Sequence, residues 1–253
     1  MKRIYSILKE KWPEYFLEIL VITIGILGAF ALNSWNENRK NKLEERAILE
    51  NLQNDLDNTI AEFEFLNTLR KNAIDASLRI FEISSTMPIN PNSELDTLFG
   101  KTMVRPTYNG KMGTLELLFS TGKISLIQNE EIKEKLISWP GMIDDFKEEE
   151  VYANEIFMGP FIGQLAKYAV IPDLYPAVYG SSFINAAPTS SNLENQPSQL
   201  PMKSDYGHLL KNQEFLNLLA MRTTHFDISY SEAISLVNHA NQLRELIKKE
   251  LQK

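Results

Sequence analysis

Tyr15 to Trp35, YFLEILVITIGILGAFALNSW, is an apolar run whose only formal charge is Glu18. As a helix, about 21 residues at about 1.5 Å each reach about 31 Å, the depth of a bilayer's hydrocarbon core. A chain carrying such a run must bury it in a core, lose it as a signal peptide or place it in a membrane. Ala29-Phe30-Ala31 imitates a small-x-small cleavage site, but the apolar run continues to Trp35, and the stretch before Ile19 is too long and too mixed for a signal's leader. The reading is a retained transmembrane helix, residues 13–35, with Pro13 in its first turn, where a missing N–H costs nothing. Trp12, Tyr15 and Trp35 mark its two interfaces, where amphipathic rings settle.

Glu18, Gly25 and Leu32 are seven apart and share one helix face, with Ile22, Gly28 and Ala29 beside them. Gly25-x-x-x-Ala29 is a small-xxx-small pair that lets a second helix come close. This face is therefore expected to self-associate, with Glu18 turned toward the partner. The competing reading is that Glu18, one turn inside Tyr15, extends to the headgroups. Residues 1–12 form a basic amphipathic tail carrying Lys2, Arg3, Lys9 and Lys11, suited to a membrane surface. Basic residues flank the span on both sides, so charge alone does not orient it. The short unmasked tail favours a cytoplasmic N-terminus and a periplasmic domain, in a bacterial inner membrane.

Asn36 to Met87 contains neither Gly nor Pro, and a helical repeat runs through Leu49, Leu52, Leu56, Ile60, Phe63, Leu66 and Ala73. The span and the first domain helix are thus expected to be one rod: a charged stalk over 36–54, a coiled coil if the chain oligomerises, then a helical bundle over 55–253. Short helices are expected at Glu94 to about Met103 and from Thr114 to Gly122, a residue suited to a left-handed C-cap. Lys123 to Gln128 reads as extended, and Asn129 caps a helix ending at Trp139-Pro140. A further helix spans Met142 to about Val170 with a bend at Gly159-Pro160, and Glu148-Glu149-Glu150 reads as its solvated face. Residues 171–204 read as a long loop, in which Tyr175, Tyr179 and Phe183 are candidates for gripping a partner. The last helix, about Asn212 to Leu251, directs Phe215, Leu218, Leu219, Phe226, Ile234, Val237, Leu243, Leu246 and Ile247 to the core. The fold class is all-α, a membrane-anchored helical bundle.

The run Glu18 to Lys40, EILVITIGILGAFALNSWNENRK, the later Thr114 to Asn129 and then Ile132 to Trp139 resemble a family of uncharacterised bacterial single-span membrane proteins. Its span follows E-x-L-V-x-x-I-G-I-L-x-A and runs into N-x-W-N-E-x-R-K; its later S-G-x-L-x-L-I-x-N element is interrupted here by Thr121. The resemblance implies a membrane-anchored, largely helical domain and brings no activity, ligand or catalytic residue.

A net charge of −7 argues against nucleic acid, and the absence of cysteine excludes disulfides, thiolate nucleophiles and Cys-ligated metals. His208, His225 and His239 are the only histidines, and the last two are too far apart along one helix to share a metal. No phosphate-cradling glycine loop or catalytic motif occurs. The chain is thus expected to be no enzyme, with no cofactor or metal. Its expected partners are the lipid bilayer, further copies of itself and an envelope protein. Two roles follow: a scaffold or assembly subunit, or a ligand-sensing accessory module that acts through another protein.

Overall fold

The computed structural model describes residues 2–86, 93–110, 112–178 and 202–253, with side chains from Trp12 onward. Helix α1 (Lys2–Ser85) is unbroken for 84 residues, about 126 Å at 1.5 Å per residue. It is followed by α2 (Ser93–Thr102), α3 (Gly113–Thr121), a 3-10 turn (Lys123–Leu126) and α4 (Glu130–Ile156). A π-helical turn (Phe157–Phe161) then leads to α5 (Ile162–Tyr168), α6 (Ile171–Val178), α7 (Tyr206–Leu209) and α8 (Gln213–Leu251). No strand occurs among the described residues.

The periodic stripe on α1 does what its spacing predicts: Leu49, Leu52, Leu56, Ile60, Phe63, Leu66 and Ala73 are all buried. Helix α8 runs antiparallel to α1 and packs on both α1 and α4. Three contacts fix its register: Arg46 donates to the Leu251 carbonyl (3.1 Å), Arg244 pairs with Asp57 (2.9 Å), and Asn67 donates to the Tyr230 carbonyl (3.3 Å). The C-terminal end of α8 therefore lies nearest the span.

Two large apolar cores stack along the rod, besides a smaller cluster of Ala73, Ile74, Val104, Ala153 and Phe226. The nearer one joins α1, α3, the first half of α4 and the second half of α8, around Phe63, Phe146 and Leu236. The farther one joins α1 to α2, the π turn, α5 to α7 and the start of α8, around Ile80, Phe99, Phe161 and Phe215. Gly100 lets α2 lie against α6, since a Cβ there would come within 2.5 Å of the Leu174 carbonyl and 2.6 Å of Ala177 Cβ.

Helix ends follow the capping chemistry written in the sequence. Asn129 and Asn212 each accept the backbone N–H three residues on, from Ile132 and Phe215, both at 3.2 Å. Gly122 closes α3 at φ 70°, in the left-handed region that glycine enters without a Cβ clash. The N-terminus of α3 has no cap of its own; Asp55 on α1 accepts the Thr114 N–H instead, at 2.9 Å.

Several expectations need correction. Pro13 is not in the first turn of a helix: α1 runs back through it to Lys2, so the ring removes one hydrogen bond from a helix continuous on both sides. Pro140 does not end α4. It faces solvent, where water can replace the lost bond, while Trp139, Ile143 and Phe146 carry the buried stripe straight past it. The expected bend is present as the π turn, with Gly159 at φ −84°, ψ −109°. Residues 123–126 coil into a 3-10 turn rather than extending. Residues 171–178 are helical rather than loop, because Leu174 anchors them in the farther core. Ile234 is 43% exposed, and Ala233, Leu236 and Ala240 take the buried positions beside it.

Candidate functional site

Within the apolar run every described side chain is exposed to the surroundings, among them Glu18, Ile22 and Leu32, and none of the described residues folds back onto it. This is the one helix among the described residues that is long and apolar enough to cross a membrane. Trp12 is 60%, Tyr15 44% and Trp35 63% exposed, so all three rings are uncovered at the two ends of the run. A Cβ built on Gly25 or Gly28 meets nothing within 4 Å, so that part of the helix surface is shallow and uncovered.

Because α1 is unbroken, the orientation of this face relative to the bundle follows from helix geometry. Counting about 100° per residue, Glu18, Gly25, Ala29 and Leu32 fall within about 60° of one another, with Ile22 and Gly28 at the margins. Leu52, Leu56 and Phe63, which enter the bundle core, lie about 160° or more from Glu18 round the same helix. The small-residue face and the bundle therefore sit on opposite sides of one rod.

The other concentration of chemistry is a buried polar layer between the two cores. Arg70 on α1 is fully buried and pairs with Glu150 on α4, itself 4% exposed. Glu150 also accepts the Tyr108 N–H with both oxygens, at 3.1 and 3.0 Å. Arg70 donates to Asn67 Oδ1 (3.0 Å) and lies 4.9 Å from the Phe146 ring centroid. Burial is the largest influence on both partners, lowering the Arg70 pKa and raising that of Glu150 against their mutual attraction. The expected solvated face at Glu148-Glu149-Glu150 is thus corrected for Glu150, which turns inward to meet a cation that the apolar stripe had already buried.

One turn farther along, Arg222 on α8 is 1% exposed and has no carboxylate partner among the described residues. Its guanidinium donates to the backbone carbonyls of Thr102, Val104 and Ala153 and stands over the rings of Phe226 (4.4 Å) and Phe157 (4.8 Å). It thereby closes the C-terminal end of α2, where unpaired carbonyls and the helix dipole favour a cation. Burial, and then repulsion from Arg105, bring its pKa down to about 9.

The histidines are held by structural partners. His225 Nδ1 bonds Glu149 (2.7 Å), His239 Nε2 lies 3.1 Å from the Lys135 carbonyl, and His208 stacks on Tyr168. Among the described residues no His, Asp and Glu side chains group as a metal site. Tyr175 is half-buried against the farther core, whereas Tyr179 and Phe183 lie outside the described residues. An open cleft of about 580 Å³ is lined by Glu62, Phe65, Leu69, Arg105, Asn109 and Asn154.

No curated protein matches the chain, and no solved structure matches it. Residues 18–157 match the model described as "Family of unknown function (DUF6090)". That match takes in the span from Glu18, the rest of α1, and α2 to α4, and it stops at Phe157 as the π turn begins. Since it covers more than half of the 253 residues, the chain belongs to this family of unknown function.

Proposed function

We propose that the chain is a non-enzymatic helical scaffold or assembly subunit of the bacterial envelope, single-pass in the inner membrane and self-associating through its span. The observation that carries this reading is the opposition of faces on α1. Two copies can pack Gly25 and Ala29 against each other while their bundles point outward, with no clash between the large domains. Leu43, 61% exposed on the stalk, continues the same outward side. Glu18 lies on that face and meets its counterpart when copies pair.

Interhelical contacts in lipid contribute about 1 kcal/mol or less each. Gly25→Leu with Ala29→Leu is therefore expected to lower the cross-linked oligomer in native membranes by roughly tenfold, since bulk at both positions keeps the backbones apart. An unchanged cross-linking ladder in that double variant would refute self-association through this face. The reading also places the N-terminus in the cytoplasm and the bundle in the periplasm. A reporter fused after Lys253 is expected to be active as a periplasmic enzyme; activity only as a cytoplasmic reporter reverses the orientation and leaves the anchor standing.

The second reading, a ligand-sensing accessory module acting through another protein, draws on the cleft beside Arg105. It gains ground if small carboxylates raise the melting temperature of the full chain, and falls if none does.

A further inference from the structure

We infer that the span-proximal end of the bundle is a docking surface for the anionic lipid headgroups of the membrane in which the chain is anchored. The inference rests on residues 15–35 crossing that membrane. Along α1, residues 36–42 are exposed on every side, and the first contacts with other elements are made at Glu44, Glu45 and Arg46. Glu44 is nine residues beyond Trp35, about 14 Å of helix, whereas the headgroup layer is about 5–7 Å deep. Because α1 does not bend at a loop, this end is held facing the bilayer, and α8 brings its C-terminal turn to the same level through the Arg46–Leu251 contact.

The charges at this end are divided unequally. Its acids already have internal donors: Glu37 accepts from Asn33, Glu44 pairs with Lys123, Glu45 accepts the Gln128 N–H, Glu50 pairs with Arg46, and Glu250 takes Asn129 and Lys253. Glu131, Glu134 and Glu245 are the exposed exceptions. Arg39, Lys40 and Lys42 on the stalk and Lys248 and Lys249 in the last turn of α8 are exposed and have no carboxylate partner among the described residues. Five uncommitted cations thus ring the rod just above the bilayer on a chain whose net charge is −7. An anionic surface complements that collar and repels the rest of the domain. Arg39, Lys40 and Lys42 reach headgroups directly. Lys248 and Lys249 stand farther out, since the Arg46–Leu251 contact already lies about 16 Å of helix beyond Trp35, and tilting of the rod brings them closer to the headgroups.

The absence of cysteine allows a clean test. The full chain carrying Gln252→Cys, labelled with a fluorophore, is placed in nanodiscs of phosphatidylcholine alone or with phosphatidylglycerol, each containing a headgroup-attached quencher. Quenching is expected to rise in the anionic discs, to fall with added salt, and to drop in the Lys248→Glu/Lys249→Glu variant. Each basic residue near an anionic surface shifts docking about fivefold, so losing both should change the docked-to-undocked ratio by roughly 25-fold. Helix content of the variant by circular dichroism checks that it folds; Lys248→Gln/Lys249→Gln, expected to give an intermediate loss, replaces it if it does not. Quenching that ignores lipid charge, or that the substitutions leave unchanged, overturns the collar alone. A chain that does not incorporate into the discs overturns the spanning helix and the collar with it.

Discussion

Glu150→Leu is expected to cost about 3–5 kcal/mol of stability, because it leaves Arg70 as an uncompensated buried charge. It also strands the Tyr108 N–H, which donates to the Glu150 carboxylate. The double replacement Arg70→Met with Glu150→Leu should recover much of that loss, since burial already pushes both members of the pair toward their neutral forms. A residual cost of about 1–3 kcal/mol remains from the unsatisfied Tyr108 amide. Glu150→Gln keeps an acceptor for that amide and should fall between the two. Urea unfolding of the full chain in detergent, followed through aromatic fluorescence, gives the comparison. If the double variant is no more stable than Glu150→Leu alone, the pair is a net stabiliser and this account of it fails.

Arg222→Leu should be comparably damaging, by about 3–5 kcal/mol, but for a different reason. Here no anion is orphaned; three carbonyls, on Thr102, Val104 and Ala153, lose their shared donor in a buried site. A lysine at 222 supplies charge but not a planar fork, so it should restore only part of the loss. Amide hydrogen exchange locates the effect: protection in α2 and around Ala153 should fall first, before that of the nearer core. Uniform loss of protection along the whole of α1 and α8 would show that Arg222 does not act as the local clasp described above.

Much of this architecture is legible in the sequence because it rests on strong, repeated signals. Seven apolar positions from Leu49 to Ala73 recur at helical spacing, and all seven are buried. Gly122, Asn129 and Asn212 mark helix ends whose chemistry is local, and each does so in the structure. Where the reading errs, a tertiary contact overrides a local rule. Pro140 reads as a stop, yet the buried stripe on either side of it holds α4 together. Glu150 reads as one of three like charges on a wet face, and only the fold shows that α4 presents it to Arg70. A signal for that layer was present: Arg70 falls between Leu66 and Ala73, and Arg222 between Leu219 and Phe226, each at a seam position where the period calls for an apolar side chain. The span's face was readable as a pattern, but its placement opposite the bundle required knowing that no break intervenes along α1.

That continuity makes α1 a lever. Fifty residues separate Trp35 from Ser85, about 75 Å of helix, so with residues 15–35 held in lipid, as proposed, everything beyond Trp35 moves with them. Transmembrane helices tilt by about 20° on average, and that angle alone carries the far end of such a lever sideways by about 26 Å. A shift of a few ångströms at the bilayer, or a change in membrane thickness that alters the tilt, is thus magnified severalfold at α2 and α6. Rotation is transmitted as faithfully: turning the buried segment about its own axis swings the whole bundle round to face another neighbour.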